Sequence, residues 1–177
     1  MIYLVTGGLG FIGSHVCVEL FNQKDTMVVI VDNLCNSKVS VLDDIRKILI
    51  NNDNYKYESL MFYQMDILDT NMECIFDEYK IDTVMHFAAL KSVSESNQKP
   101  QLYNRNNELG TKTLLSLMKR YDCNNFIFSS SATVYGTNNY PVDESSQTGE
   151  GLTNIYAHNK YNIEQHIRKL STLQEYN

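Results

Sequence analysis

The sequence predicts an α/β fold: a doubly wound parallel sheet with helices on both faces. Two observations carry this. Five short apolar runs, at 2–6, 27–31, 60–65, 83–87 and 125–129, alternate with longer stretches of helical periodicity. Such near-continuous apolar strands are those of a parallel sheet buried on both sides. The second observation is the order strand, Gly-rich turn, helix at the start of the chain. Gly7, Gly10 and Gly13 follow the first run directly.

The elements follow in order. The first strand, 2–6, ends at Thr6, and a helix over 11–22 carries apolar residues at Phe11, Ile12, Val16 and Leu20. Glycines at this turn let the backbone approach a pyrophosphate, and the helix start offers N–H groups and a positive dipole end to it. The second strand, 27–31, leads into Asp32, about 20 residues past the glycines, where a carboxylate can accept the hydroxyls of an adenine ribose. No Arg follows Asp32 directly to receive a 2′-phosphate, which favours NAD over NADP. Further helices are expected at 39–50, 70–79, 102–121 and 154–170. The segment 137–151, rich in Asn, Ser, Thr and Gly, reads as a surface loop or flap. In such a sheet, ligands sit beyond the carboxyl ends of the strands. Those ends are Thr6-Gly7, Asp32-Asn33, Asp66-Ile67, Phe87-Ala88-Ala89 and Ser129-Ser130-Ser131.

Composition narrows the function classes. A chain of 177 residues suits a single domain, 1–177, with a sizeable core. Hydrophobic residues make up 43% and charged residues 20%, the balance of a globular protein. A net charge of −6 without a Lys/Arg cluster offers no field for nucleic acid. No apolar run is long enough to span a membrane, and the N-terminal apolar run is read as a core strand instead of a signal peptide. Cys17, Cys35, Cys74 and Cys123 are widely spaced with no C-x-x-C. Reduced thiols in a cytoplasmic protein are the expectation, with no metal site.

Two later stretches carry chemistry. Ser129-Ser-Ser-Ala-Thr-Val-Tyr-Gly136 follows the fifth strand, and Tyr156-Ala-His-Asn-Lys160 opens the last helix. Tyr and Lys four apart share one helical face. An ammonium that close favours phenolate over phenol, and a phenolate near neutral pH is a competent base for an alcohol proton. A Ser hydroxyl from the neighbouring strand end bridges the same oxygen. The bland alternative is an ordinary exposed i,i+4 pair; the Gly turn, Asp32 and the serine cluster argue against it. His15 and His86 are expected to pack or cap. His158 is expected to face solvent, and Asp143-Glu144 to sit in a solvated loop. Glu95 either orders a loop or caps a turn.

These stretches resemble the N-terminal half of the UDP-glucose 4-epimerases, extended short-chain dehydrogenases/reductases with a Rossmann-like domain. The matching pieces are Thr6-Gly-Gly-Leu-Gly-Phe-Ile-Gly-Ser-His15, Val31-Asp-Asn-Leu-Cys-Asn-Ser37, Met65-Asp-Ile67, His86-Phe-Ala-Ala-Leu-Lys-Ser-Val93, Gln98-Lys-Pro100 and Phe126-Ile-Phe-Ser-Ser-Ser-Ala-Thr-Val-Tyr-Gly136. The related 4,6-dehydratases carry an Asp-Glu pair where Ala132-Thr133 stands, which argues against dehydration. The resemblance implies NAD as cofactor and UDP-glucose/UDP-galactose as substrates, interconverted by transient oxidation at C4. It implies a catalytic set of Ser131, Tyr156 and Lys160, with Lys91, Ser131 and Tyr156 meeting the substrate.

For the cofactor it implies Gly7, Gly10, Phe11, Ile12 and Gly13 at the pyrophosphate. Asp32, Asn33, Leu34, Cys35, Asn36 and Ser37 would surround the ribose, with Asp66 and Ile67 flanking adenine. Phe87, Ala88, Ala89, Leu90, Lys91 and Asn106 would line the path to nicotinamide, where Tyr156 and Lys160 also reach. The family has Gly at Ala89, Pro at Ile155 and Gly at Ala157. Its chains also run on into a substrate domain that this sequence lacks. The expected partners are therefore a second copy or a complementing C-terminal chain. The other reading is a catalytically inactive NAD-binding remnant or interaction module.

Overall fold

The computed structural model describes residues 1–137 and 141–172. They form two compact units. The first comprises Met1–Ala88 and Leu114–Ser129; the second comprises Ala89–Thr113 and the described residues from Ser130 to Thr172.

The first unit holds one parallel five-stranded sheet. Its strands are β1 (Ile2–Thr6), β2 (Met27–Asp32), β3 (Leu60–Gln64), β4 (Thr83–His86) and β5 (Asn125–Phe128), in the order β3-β2-β1-β4-β5. The order reverses between β1 and β4, where a doubly wound sheet opens its ligand crevice. Register places Thr6 beside Val31 on one side and His86 on the other, so the polar strand ends line up.

Alternation along the strands explains the two covered faces. Tyr3 and Val5 of β1 and Val28 and Ile30 of β2 pack with Cys17 and Leu20 of α1 (Phe11–Leu20) and Leu42, Ile45 and Leu49 of α2 (Ser40–Leu49). Leu4, Val29, Val31 and Val84 point to the opposite face and are also buried. So are Met72, Ile75 and Phe76 of α3 (Met72–Glu78), and Leu114, Leu115 and Met118 of α6 (Gly110–Arg120). Each such side chain contributes about 1.5–3 kcal/mol by leaving water.

In the second unit, α4 (Val93–Gln98), α5 (Pro100–Tyr103) and a π-helical stretch (Asn104–Leu109) run on into α6, and α7 (Ile155–Thr172) packs on them. The helix expected over 102–121 is thus continuous only in outline, because its hydrogen-bond register slips through the π stretch. A short 3-10 turn, Ala132–Tyr135, follows the serine cluster. The flap expected at 137–151 is irregular where described; residues 138–140 of it lie outside the described residues. No described helix is long and apolar enough to cross a membrane.

Candidate active site

The first unit presents the nucleotide-binding elements. Gly7 has φ +68, and a Cβ there would lie 2.6 Å from the Ala88 backbone nitrogen. Its own N–H donates to the Val31 carbonyl at 2.7 Å. A Cβ at Gly13 would lie 2.3 Å from the Gly7 carbonyl oxygen. Only glycine lets α1 start so close to the strand end. No side chain caps α1 at Gly10, and Phe11 and Ile12 stand 79% and 56% exposed on its first turn. The open helix start fits an anion.

Asp32 closes β2 and is buried. Its Oδ2 accepts from the Leu9 N–H at 3.0 Å. Its Oδ1 accepts from the Leu34 N–H at 2.9 Å and from the Ser37 hydroxyl at 2.7 Å. This Asx turn holds Leu34 in the left-handed region at φ +60. A carboxylate has about four acceptor directions, so one remains for a ribose hydroxyl, and Ser37 can rotate away from another. Asn33 Nδ2 donates to Asp66 Oδ2 at 2.8 Å, joining the ends of β2 and β3. Asp66 Oδ1 accepts from Leu68 N at 2.9 Å. Cys35 is exposed; its partial burial and the nearby Asp32 and Asp66 push its thiol pKa up. All four cysteines are free thiols.

His86 is buried at the end of β4, in hydrogen-bond contact with the Thr6 hydroxyl at 2.6 Å and stacked on Phe126 and Phe128. His15 bonds the Phe11 carbonyl at 2.7 Å. Both histidines pack and cap, as the sequence leads one to expect.

The second unit holds Ser131, Tyr156 and Lys160. Asn154 caps α7, its Oδ1 accepting from the Ala157 N–H at 2.8 Å. Tyr156 and Lys160 then fall on the buried side of the helix, while His158 between them is exposed. Lys160 Nζ lies 5.8 Å from the centre of the Tyr156 ring. Burial lowers the Lys160 pKa to about 8, and the charge of Glu164 opposes that fall.

Ser131 caps the 3-10 turn, and this turn packs on α7. Its Oγ accepts from the Thr133 N–H at 3.3 Å and from the Thr133 hydroxyl at 3.0 Å. The flap returns to the same turn, with the Gly149 N–H donating to the Val134 carbonyl at 2.9 Å. Ala89, Leu90 and Lys91 belong to this unit too. Asn107 pins Leu90 through two bonds of 2.9 Å, to its N–H and its carbonyl, and Asn106 donates to Asn107 at 2.9 Å. Glu95 orders its neighbourhood by pairing with Lys99 and accepting from the Tyr103 hydroxyl. Asp143 is exposed in the flap, accepting from Ser145 and Ser146.

Sequence reasoning did not single out Thr133, Asn107 or Glu164. The Ser-x-Thr spacing of 131–133 is a turn signal that pointed to the first; the other two are set by packing.

These features define a nucleotide-cofactor enzyme class, and the chain belongs to the NAD dependent epimerase/dehydratase family, whose model matches residues 3–176. Within it, the chain is 46% identical over 174 residues to the UDP-glucose 4-epimerase of Pasteurella multocida, covering 97% of this chain and 48% of that protein. It is 45% identical to UDP-glucose 4-epimerase 2 of Arabidopsis thaliana, over 93% of this chain and 46% of that one. The solved UDP-glucose 4-epimerase of Bifidobacterium longum, in complex with NAD+ and UDP, superposes with a TM-score of 0.89 at 41% identity; 98% of this chain covers 50% of that one. The enzyme of Stenotrophomonas maltophila, with bound NAD and formylated UDP-arabinopyranose, gives 0.87 at 42% identity, with 98% of this chain covering 49% of that one. The chain thus spans about half the length of the relatives it matches.

Proposed function

We propose that this chain binds NAD and carries the proton-transfer groups of UDP-hexose 4-epimerisation. The observation that carries the reading is the buried Tyr156–Lys160 pair on α7, packed by the Ser131 turn. NAD, when bound, supplies a reversible hydride acceptor at the sugar C4.

The chain's own residues do the rest. Tyr156 takes the proton of the sugar 4-hydroxyl and later returns it. Lys160 stabilises the resulting phenolate and reaches the nicotinamide ribose. Ser131 donates its proton to the same sugar oxygen, and Lys91 faces the substrate beside it. Gly7, Gly10, Phe11, Ile12 and Gly13 hold the pyrophosphate, with Asp32 on the ribose hydroxyls inside the turn formed by Asn33, Leu34, Cys35, Asn36 and Ser37. Asp66 and Ile67 flank adenine. Phe87, Ala88, Ala89, Leu90, Lys91 and Asn106 line the nicotinamide side.

Ala132 and Thr133 add no acid or base to this set, which favours epimerisation over dehydration. Remote binding energy from the uridine diphosphate raises turnover as well as affinity. A second copy or a complementing chain is the natural source of those contacts. Four free thiols suit a reducing compartment, the cytoplasm.

Calorimetric titration with NAD tests the cofactor half of this reading. The native chain is expected to bind, and Asp32→Ala to bind at least about tenfold more weakly, the loss of one good hydrogen-bonded charge contact. Equal binding by the two would remove Asp32 from the cofactor site.

A further inference from the structure

α7 carries three polar residues at four-residue spacing: Tyr156, Lys160 and Glu164. The first two belong to the catalytic set proposed above; the third has no role in it. Yet the Glu164 side chain is only 17% exposed. The Ser130 hydroxyl donates to its Oε1. Its Oε2 is buried without a hydrogen-bond partner among the described residues. The Arg168 guanidinium lies 3.9 Å from that oxygen and is itself 68% exposed. A half-satisfied buried carboxylate is costly, so a compensating charge is expected nearby. Arg168, one turn later, pairs with the carboxylate at 3.9 Å, and Lys160 lies one turn earlier on the same stripe.

Other elements pack on α7 and carry charges of their own. α4 brings Glu95 and Lys99; α5 and the π stretch bring Tyr103, Arg105 and Glu108; the 3-10 turn brings Tyr135. Glu95 pairs with Lys99 and Tyr103, and Glu108 with Lys112 and Asn162. The Glu164 charge opposes the fall that burial imposes on the Lys160 pKa.

We propose that Glu164 is a positioning residue for this site. Docked on Ser130, it ties the serine turn to α7, and its charge keeps Lys160 protonated beside Tyr156. The inference rests on the reading of Tyr156, Lys160 and Ser131 as the reacting set.

The test is the titration of Lys160 by NMR in the whole chain labelled with carbon-13 lysine, with Lys160→Met assigning the resonance. In Glu164→Gln the Lys160 midpoint falls by at least about half a pH unit, roughly a threefold loss in the ratio of ammonium to amine at fixed pH. Ser130→Ala removes the dock that holds the carboxylate, so its midpoint falls too, by a smaller amount. A Glu164 of purely structural role would change thermal stability and leave the midpoint alone. An unchanged midpoint in folded Glu164→Gln overturns the proposal. So does an unchanged midpoint in folded Ser130→Ala, which also decides the matter should Glu164→Gln fail to fold. A chain that binds no NAD would sink the cofactor reading instead, while the Lys160 midpoint would still report on Glu164.

Discussion

The Lys160 ammonium lies 5.8 Å from the centre of the Tyr156 ring, one turn further along α7, and both side chains are buried. A charged amine is held there at a cost. The free energy comes from the rest of the fold, and the return is a cation near the Tyr156 ring.

That cost gives a pH dependence. Burial lowers the Lys160 pKa from 10.5 to about 8. Between these values the unfolded chain binds the proton and the native chain releases it, so rising pH favours the native state. Below pH 8 the penalty is present in full; above 10.5 it is gone. Lys160→Met is therefore expected to be more stable than the native chain at pH 7 by about 1–3 kcal/mol. The margin should shrink as the pH rises to 10. Urea unfolding of both chains across that range checks it, and a margin that grows with pH would contradict the burial argument.

Closeness at the first turn makes a second expectation. A methyl at Gly13 would sit 2.3 Å from the Gly7 carbonyl oxygen, a backbone atom that cannot swing away. Gly13→Ala should cost about 1–3 kcal/mol of stability through the shift it forces. It should also weaken NAD binding, because α1 would be displaced from the strand end. Calorimetry and thermal unfolding read the two effects separately.

The cap of α7 offers a milder change. Asn154 satisfies the Ala157 N–H at 2.8 Å just before the catalytic stripe begins. Asn154→Ala should lower stability by about 1 kcal/mol. Because Tyr156 sits in that first turn, turnover should fall more than NAD affinity does. Equal losses in both would place Asn154 outside the positioning of Tyr156.

Much of this was legible in the residues. The five strands lie within one residue of the apolar runs, and in β1 and β2 the run is near-continuous because both faces are buried. The glycine turn, Asp32, Tyr156 and Lys160 were legible because each chemistry demands a residue type at a fixed spacing. α4 was not read as a helix of its own. Val93–Gln98 is short and polar, with no apolar period, and it starts on a Ser92 cap that accepts from the Glu95 N–H at 3.3 Å. The π stretch at Asn104–Leu109 leaves no mark in the apolar spacing, since it is a slip in backbone bonding. Glu164 becomes a partner of Ser130 only once the serine turn and α7 are packed, and no local pattern encodes that.

The most direct test of the account is the conversion of UDP-galactose to UDP-glucose by this chain with added NAD, beside Tyr156→Phe. The account predicts conversion by the native chain and a fall of about 10²–10⁴-fold in the variant, with NAD binding retained. Equal conversion by the two would contradict the assignment of the reacting groups to this chain.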